Sequence, residues 1–120
     1  AGNTAVNVLA YAQEYIDYAQ ANNMIVIMST ATPFANTSVV GTSWDAGKQV
    51  EVDAYNTALL ALDNGTDIRV INTYDLLDTL GDDAIDVLYD SGDGLHVNGT
   101  GNAVLYNAYD ALINQIIGEQ

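Results

Sequence analysis

Met24-Ile25-Val26-Ile27-Met28 is the stretch on which the fold of this 120-residue chain turns. An unbroken apolar run has no polar face to set toward water, which is the pattern of a strand buried on both sides in a parallel sheet. It predicts a strand over 24–30. Upstream, Val8, Ala12, Tyr15, Ile16 and Ala19 recur at helical spacing across 4–21, and Asn22-Asn23 supplies a stop. Downstream, 31–46 carries Pro33 and is rich in Thr, Ser and Gly, so it reads as a long loop at the strand's C-terminal end, where open α/β sheets place their sites.

The pattern then repeats. A second helix is predicted over 45–62 through Val52, Tyr55, Leu59 and Leu62, closed by Asn64-Gly65, and a second strand over 68–71. A short helix at 75–80 with Asp75 as its N-cap and another short element at 84–89 follow. The last helix is predicted over 103–117, with Val104, Ala108, Leu112 and Ile116 on its inner stripe. Helix, strand, helix, strand, helix implies parallel strands joined by right-handed crossovers. Two strands leave two open edges, each a row of unpaired backbone groups. The chain is therefore expected to be one unit, 1–120, that another polypeptide or a copy of itself completes.

Composition limits the function classes. Sixteen acids against Lys48 and Arg69 give a net charge of -14, which repels phosphate backbones and anionic membranes, so neither nucleic acid nor an anionic membrane surface is an expected partner. So acidic a surface suits a saline source and equally suits many secreted proteins. No apolar run reaches the roughly 20 residues that span a bilayer. With no Cys, a disulfide framework and thiolate metal sites are excluded. Asn36-Thr37-Ser38, Asn64-Gly65-Thr66 and Asn98-Gly99-Thr100 fit the glycosylation sequon, as chance alone allows in a chain rich in Asn and Thr.

The chemistry-bearing motif is Asp93-Gly94-Leu95-His96, followed by Val97-Asn98-Gly99-Thr100-Gly101 and the last helix. An Asp three residues before a His can hold one imidazole nitrogen and leave the other free as a general base. Trp44, in the long loop, either contacts substrate or packs. The acids Asp82, Asp83, Asp86, Asp90 and Asp93 lack the spacing of a calcium loop and read as a solvated face, with no metal expected. Ser29, Ser38, Ser43 and Ser91 stand in no nucleophile motif, and Ser91 is too near Asp93 and His96 in sequence to be delivered from a separate strand end.

In this order of elements, and in Asp93, Gly94 and His96 with Gly99 and Gly101 before the last helix, the chain resembles the SGNH hydrolases, or GDSL esterases and lipases. Their final motif reads D-x-x-H, commonly D-G-x-H. The helix holding Tyr55-Asn56, the strand before Asp75 and the D-x-x-H block follow the second half of that fold. The resemblance implies a partial flavodoxin-like three-layer α/β/α architecture with parallel strands. The family's Ser, Gly and G-x-N-D blocks lie upstream of the matched part. Ala1-Gly2-Asn3-Thr4 stands where G-x-N-D would end, which makes Asn3 the oxyanion donor, with Ala1 in place of the Gly and Thr4 in place of the Asp.

Carried over, the resemblance implies hydrolysis of carboxylic esters, as by an esterase, lipase or carbohydrate deacetylase, in a secreted or extracellular setting. His96 is then the base, Asp93 its orienting carboxylate, and the Ser comes from the polypeptide or copy that completes the sheet. No cofactor is required. The competing expectation is a non-catalytic structural or binding subunit of an extracellular or viral assembly that keeps the fold.

Overall fold

In a computed structural model, residues 4–39 and 43–119 are described. They form two compact units, the first within Ala1–Ala31 and Asp45–Asn72, the second within Thr32–Trp44 and Thr73–Gln120.

The first unit holds the α/β core. Helix α1, Ala5–Ala21, begins at Thr4, whose hydroxyl accepts the N–H of Asn7 at 3.4 Å. It ends where the sequence places its stop, with Asn22 as C-cap and Asn23 in the left-handed region at φ 55°. Ala12, Ile16 and Ala19 are its buried face. Tyr15, expected on that stripe, points outward instead, because alanine on the inner face lets the helix sit close and leaves no room for a ring.

Strand β1, Val26–Ser29, pairs in parallel with β2, Ile68–Ile71, Val26 opposite Ile68 and Ser29 opposite Ile71. The parallel α/β class is thus as expected. The first strand is shorter than the predicted 24–30, and it is only partly covered along its length, whereas Ile68 and Ile71 of β2 are buried. Among the described residues the sheet has the order β1-β2, so each strand is bordered by the other on one edge only.

Helix α2, Ala46–Leu60, is capped by Asp45, whose carboxylate accepts the N–H of Lys48 at 2.9 Å. It buries Leu59 together with two amides, Gln49 and Asn56. The Asn56 carbonyl oxygen accepts the N–H of Ala31 at 2.8 Å, which ties off the chain just past β1. α1 packs on β1 and on α2, and α2 on β2, so both helices lie on one face of the pair.

The second unit holds α3, Thr73–Leu77, and α4, Gly99–Glu119, packed on each other. Asp75 lies inside the first turn of α3 and is not its N-cap. Residues 84–89 make turns and no helix. α4 starts before the predicted 103, because Asn98 supplies the cap: its side-chain oxygen accepts Thr100 N–H at 2.8 Å and Gly101 N–H at 3.0 Å. Val104, Ala108, Leu112 and Ile116 do form the covered stripe, each only partly buried. Among the described residues no helix is long and apolar enough to cross a membrane.

Candidate active site

The loop between Asp90 and Val97 is pinched at its base and built from within. Asp90 and Val97 form an antiparallel bridge, Ser91 N–H donates to the His96 carbonyl at 2.9 Å, and Asn98 N–H donates to the Tyr89 carbonyl at 2.7 Å. Inside the pinch, one Asp90 oxygen accepts the N–H groups of Asp93 at 3.2 Å and Gly94 at 2.9 Å. Outside it, the Asn98 amide donates to the carbonyls of Leu88 at 2.9 Å and Asp90 at 3.0 Å. Every one of these bonds fixes backbone. The loop's backbone is held without help from the Asp93 or His96 side chains.

A second segment holds the loop from the side. Ser38 N–H donates to the Asp93 carbonyl at 2.8 Å, and the Ser38 hydroxyl reaches the same oxygen at 3.3 Å. At Gly94, with φ +69°, a Cβ would stand 2.1 Å from the Asn36 carbonyl oxygen and 2.7 Å from Thr37 N. Glycine is therefore required there twice, by its backbone angle and by the closeness of the 36–37 chain.

The catalytic-type pair sits on this frame. Asp93 divides its oxygens: Oδ1 accepts Leu95 N–H at 3.0 Å and His96 N–H at 2.9 Å, while Oδ2 lies 2.7 Å from His96 Nδ1. That length is that of a charge-assisted bond. With Asp93 ionised, Nδ1 donates, so the lone pair is left on Nε2, the condition for a general base. The His96 side chain is 66% exposed and that of Asp93 34%. Among the described residues nothing hydrogen-bonds Nε2, and the ring that carries it is largely exposed. The Asp93 carboxyl is held well below the ordinary carboxylate range, first by the His96 side chain and then by the two backbone N–H groups.

The other expected site residues divide. Trp44 is exposed in the loop that belongs to the same unit as His96. Asn3 lies outside the described residues, so no oxyanion donor is located. No described Ser hydroxyl reaches the imidazole: that of Ser91 donates to Asp93 Oδ1 at 3.2 Å and that of Ser38 is spent on the Asp93 carbonyl. Among the described residues no three His, Asp or Glu side chains converge as a metal site would need. The acids read as a solvated face also bond their own turns: exposed Asp82 accepts Ala84 N–H, and the half-buried Asp83, Asp86 and Asp90 accept, in turn, the Tyr74 hydroxyl, the N–H and hydroxyl of Thr79, and the two loop amides. Asp90 and Asn98 are the supports that motif reading missed. Asn98 was legible as an Asn before a helix, and Asp90 only by its spacing from Asp93.

Comparison with known proteins adds the fold. No family model and no curated protein matches the sequence. A solved structure, that of a candidate acylhydrolase from Bacteroides fragilis, superposes with a TM-score of 0.80 at 22% identity, over 96% of this chain and 54% of that one. The likeness is one of fold, an α/β arrangement with parallel strands flanked by helices, and this chain spans about half the length of the solved one.

Proposed function

We propose that this chain supplies the Asp-His part of a Ser-His-Asp ester hydrolase of SGNH type, as the C-terminal half of that fold. The observation that carries the reading is the 2.7 Å bond between His96 Nδ1 and Asp93 Oδ2, on an exposed ring whose other nitrogen has no hydrogen-bond partner among the described residues. The fold shared with a candidate acylhydrolase nearly twice as long supports it from a separate direction.

The chemistry follows from the parts. A Ser from the completing polypeptide attacks the ester carbonyl while His96 Nε2 takes its proton, and His96 then returns that proton to the leaving alcohol. Water hydrolyses the acyl-enzyme by the same relay in reverse roles. Asp93 keeps the imidazole in the Nδ1–H tautomer and stabilises the imidazolium. Donors to the oxyanion, with Asn3 as one candidate, supply the charge stabilisation. No metal or organic cofactor enters.

The test is reconstitution. Adding the polypeptide that carries the Ser should give hydrolysis of a short acyl ester such as p-nitrophenyl acetate, whereas this chain alone should be inactive. Hydrolysis indifferent to His96→Ala refutes the mechanism. One observation favours the other reading, a structural or binding subunit: the hydroxyls of Ser38 and Ser91, the serines nearest His96 in the hydrogen-bond network, are both committed to Asp93. A native assembly in which no Ser is labelled by a fluorophosphonate would decide for it.

A further inference from the structure

We infer that Asn36 is an N-glycosylation site, and that the fold keeps the sequons at Asn64 and Asn98 bare. The inference carries with it an extracytoplasmic route for the chain, and it stands or falls without the hydrolase reading above.

Glycan transfer is a substitution at a sugar carbon. The Asn Nδ2 displaces diphosphate from C1 of a lipid-diphosphate-linked oligosaccharide: an N–C1 bond forms, the C1–O bond to the diphosphate breaks, and the proton lost by the amide passes to a base of the transferase. The sequon is read through the Asn and the hydroxyl two residues on. One of the two amide hydrogens is thereby replaced, and the sugar comes to lie on the side of the carbonyl oxygen. A fold keeps such a product only where the amide has a hydrogen to spare and open space beside its oxygen.

Asn98 has neither. Its amide spends both hydrogens, on the Leu88 carbonyl at 2.9 Å and the Asp90 carbonyl at 3.0 Å, and its oxygen caps α4 through the N–H groups of Thr100 and Gly101. A glycan there would break the base of the 90–97 loop and the helix cap together. Asn64 has a hydrogen to spare, since its amide donates to Asp67 at 2.6 Å. Its oxygen is crowded, however, and accepts Thr66 N–H, the Thr66 hydroxyl and Ile68 N–H, each at 3.0 Å. Those donors shape the turn into β2, and a sugar on that side displaces them.

Asn36 meets both conditions. It is exposed, and its side chain makes no hydrogen bond among the described residues. The backbone beneath it is fixed by other groups. Thr37 N–H donates to the Phe34 carbonyl at 3.1 Å, which closes a turn with Ala35 and Asn36 at its tip, and the N–H groups of Phe34 and Ala35 donate to the Asp83 carbonyl at 3.0 and 2.8 Å. This turn therefore survives substitution of the Asn36 amide. Ser38, the hydroxyl residue of the same sequon, sets the time of transfer. Its N–H and its hydroxyl both reach the Asp93 carbonyl, at 2.8 and 3.3 Å, so the folded chain withholds it from a transferase. Modification precedes closure of the 90–97 loop on 36–38, and the folded chain then carries the glycan beside that loop, where the Asn36 carbonyl abuts Gly94.

The experiment is intact-glycopeptide mass spectrometry on the protein from its native host, cut before aspartate. Cleavage at Asp17, Asp45, Asp63, Asp67, Asp93 and Asp110 puts each sequon on its own peptide, and electron-transfer fragmentation assigns the residue that bears the sugar. The expected result is a sugar-containing mass on Asn36, none on Asn64 or Asn98, and its loss from the first peptide in Asn36→Gln. An unmodified Asn36 overturns the inference. A glycan on Asn64 or Asn98 overturns the sorting by amide bonds on which it rests, even where Asn36 carries one too.

Discussion

Two aspartates of the second unit, Asp78 and Asp93, each organise a tight loop of their own, and they do it differently. Asp78 is buried and spends both oxygens on backbone: Oδ1 on Gly81 N–H at 2.6 Å and Asp82 N–H at 3.1 Å, Oδ2 on Asp83 N–H at 2.9 Å. Its loop needs left-handed residues at Gly81 and Asp83, and the carboxylate holds them there. Asp93 covers its loop's amides with one oxygen and keeps the second for an exposed imidazole. Holding the loop does not require that second bond. An oxygen reserved for a side chain that folding does not need is what the proposed site requires, whereas a carboxylate consumed by its own turn serves the scaffold.

The comparison breaks most sharply at His96. In the completed hydrolase His96→Ala should lower kcat by about 10⁴-fold or more, while the urea midpoint of the chain stays close to that of the parent, because the ring is exposed and bonded only to Asp93. Asp93→Ala should lower kcat less, by roughly ten- to a hundredfold less than His96→Ala, since an imidazole still acts when poorly oriented. Equal losses for the two would mean that Asp93 does more than orient.

Stability should separate the loops in the other direction. Gly94→Ala forces a Cβ against the Asn36 carbonyl at a backbone angle of +69°, and should cost about 3 kcal/mol in denaturant unfolding, with activity falling in parallel. Asp78→Ala leaves three loop amides without their acceptor and should cost about 2 kcal/mol without touching the imidazole. If Asp78→Ala proves silent in unfolding, its loop is held by sequence-local turn preference and the contrast with Asp93 loses its meaning.

How much of this the sequence disclosed depended on the range of the forces involved. The Asn22-Asn23 stop, the apolar run of β1 and the D-x-x-H pair are local patterns and were legible, since periodicity and spacing determine them. Tyr15 facing outward was not, because its spacing fits the apolar stripe of α1 and only packing, which buries Ala12 and Ile16, decides which side of that stripe is covered. That the acids at 82–93 bond their own turns was not legible either, for a related reason. Charge count describes a surface, and whether an Asp meets water or its own turn is decided by backbone angles such as those of Gly81, Asp83, Gly92 and Gly94. Gly94 was legible as a turn residue; the Asn36 carbonyl pressed against it comes from a distant part of the chain and left no mark in the motif.

The smallest expected effect is a titration, and it tests the reserved oxygen directly. The Asp93 carboxyl is held below its ordinary value of 3.8, with the His96 side chain the largest cause and the N–H groups of His96 and Leu95 next. The folded chain thus binds this proton more weakly than the unfolded one, so the small contribution that the bonds to this exposed carboxylate make to stability is complete above pH 3.8 and is lost as pH falls from there through the lower folded value. In His96→Ala the first cause disappears while the backbone amides remain. The carboxyl-carbon resonance of Asp93 should therefore titrate at higher pH in the variant than in the parent, yet still below 3.8. Asp67, lowered to about 2 chiefly by the side chains of Gln20, Asn64 and Thr66, is the internal reference and should not move. A midpoint for Asp93 that is the same in both proteins would show that backbone amides alone hold it low, and the reserved oxygen would then add nothing to the loop.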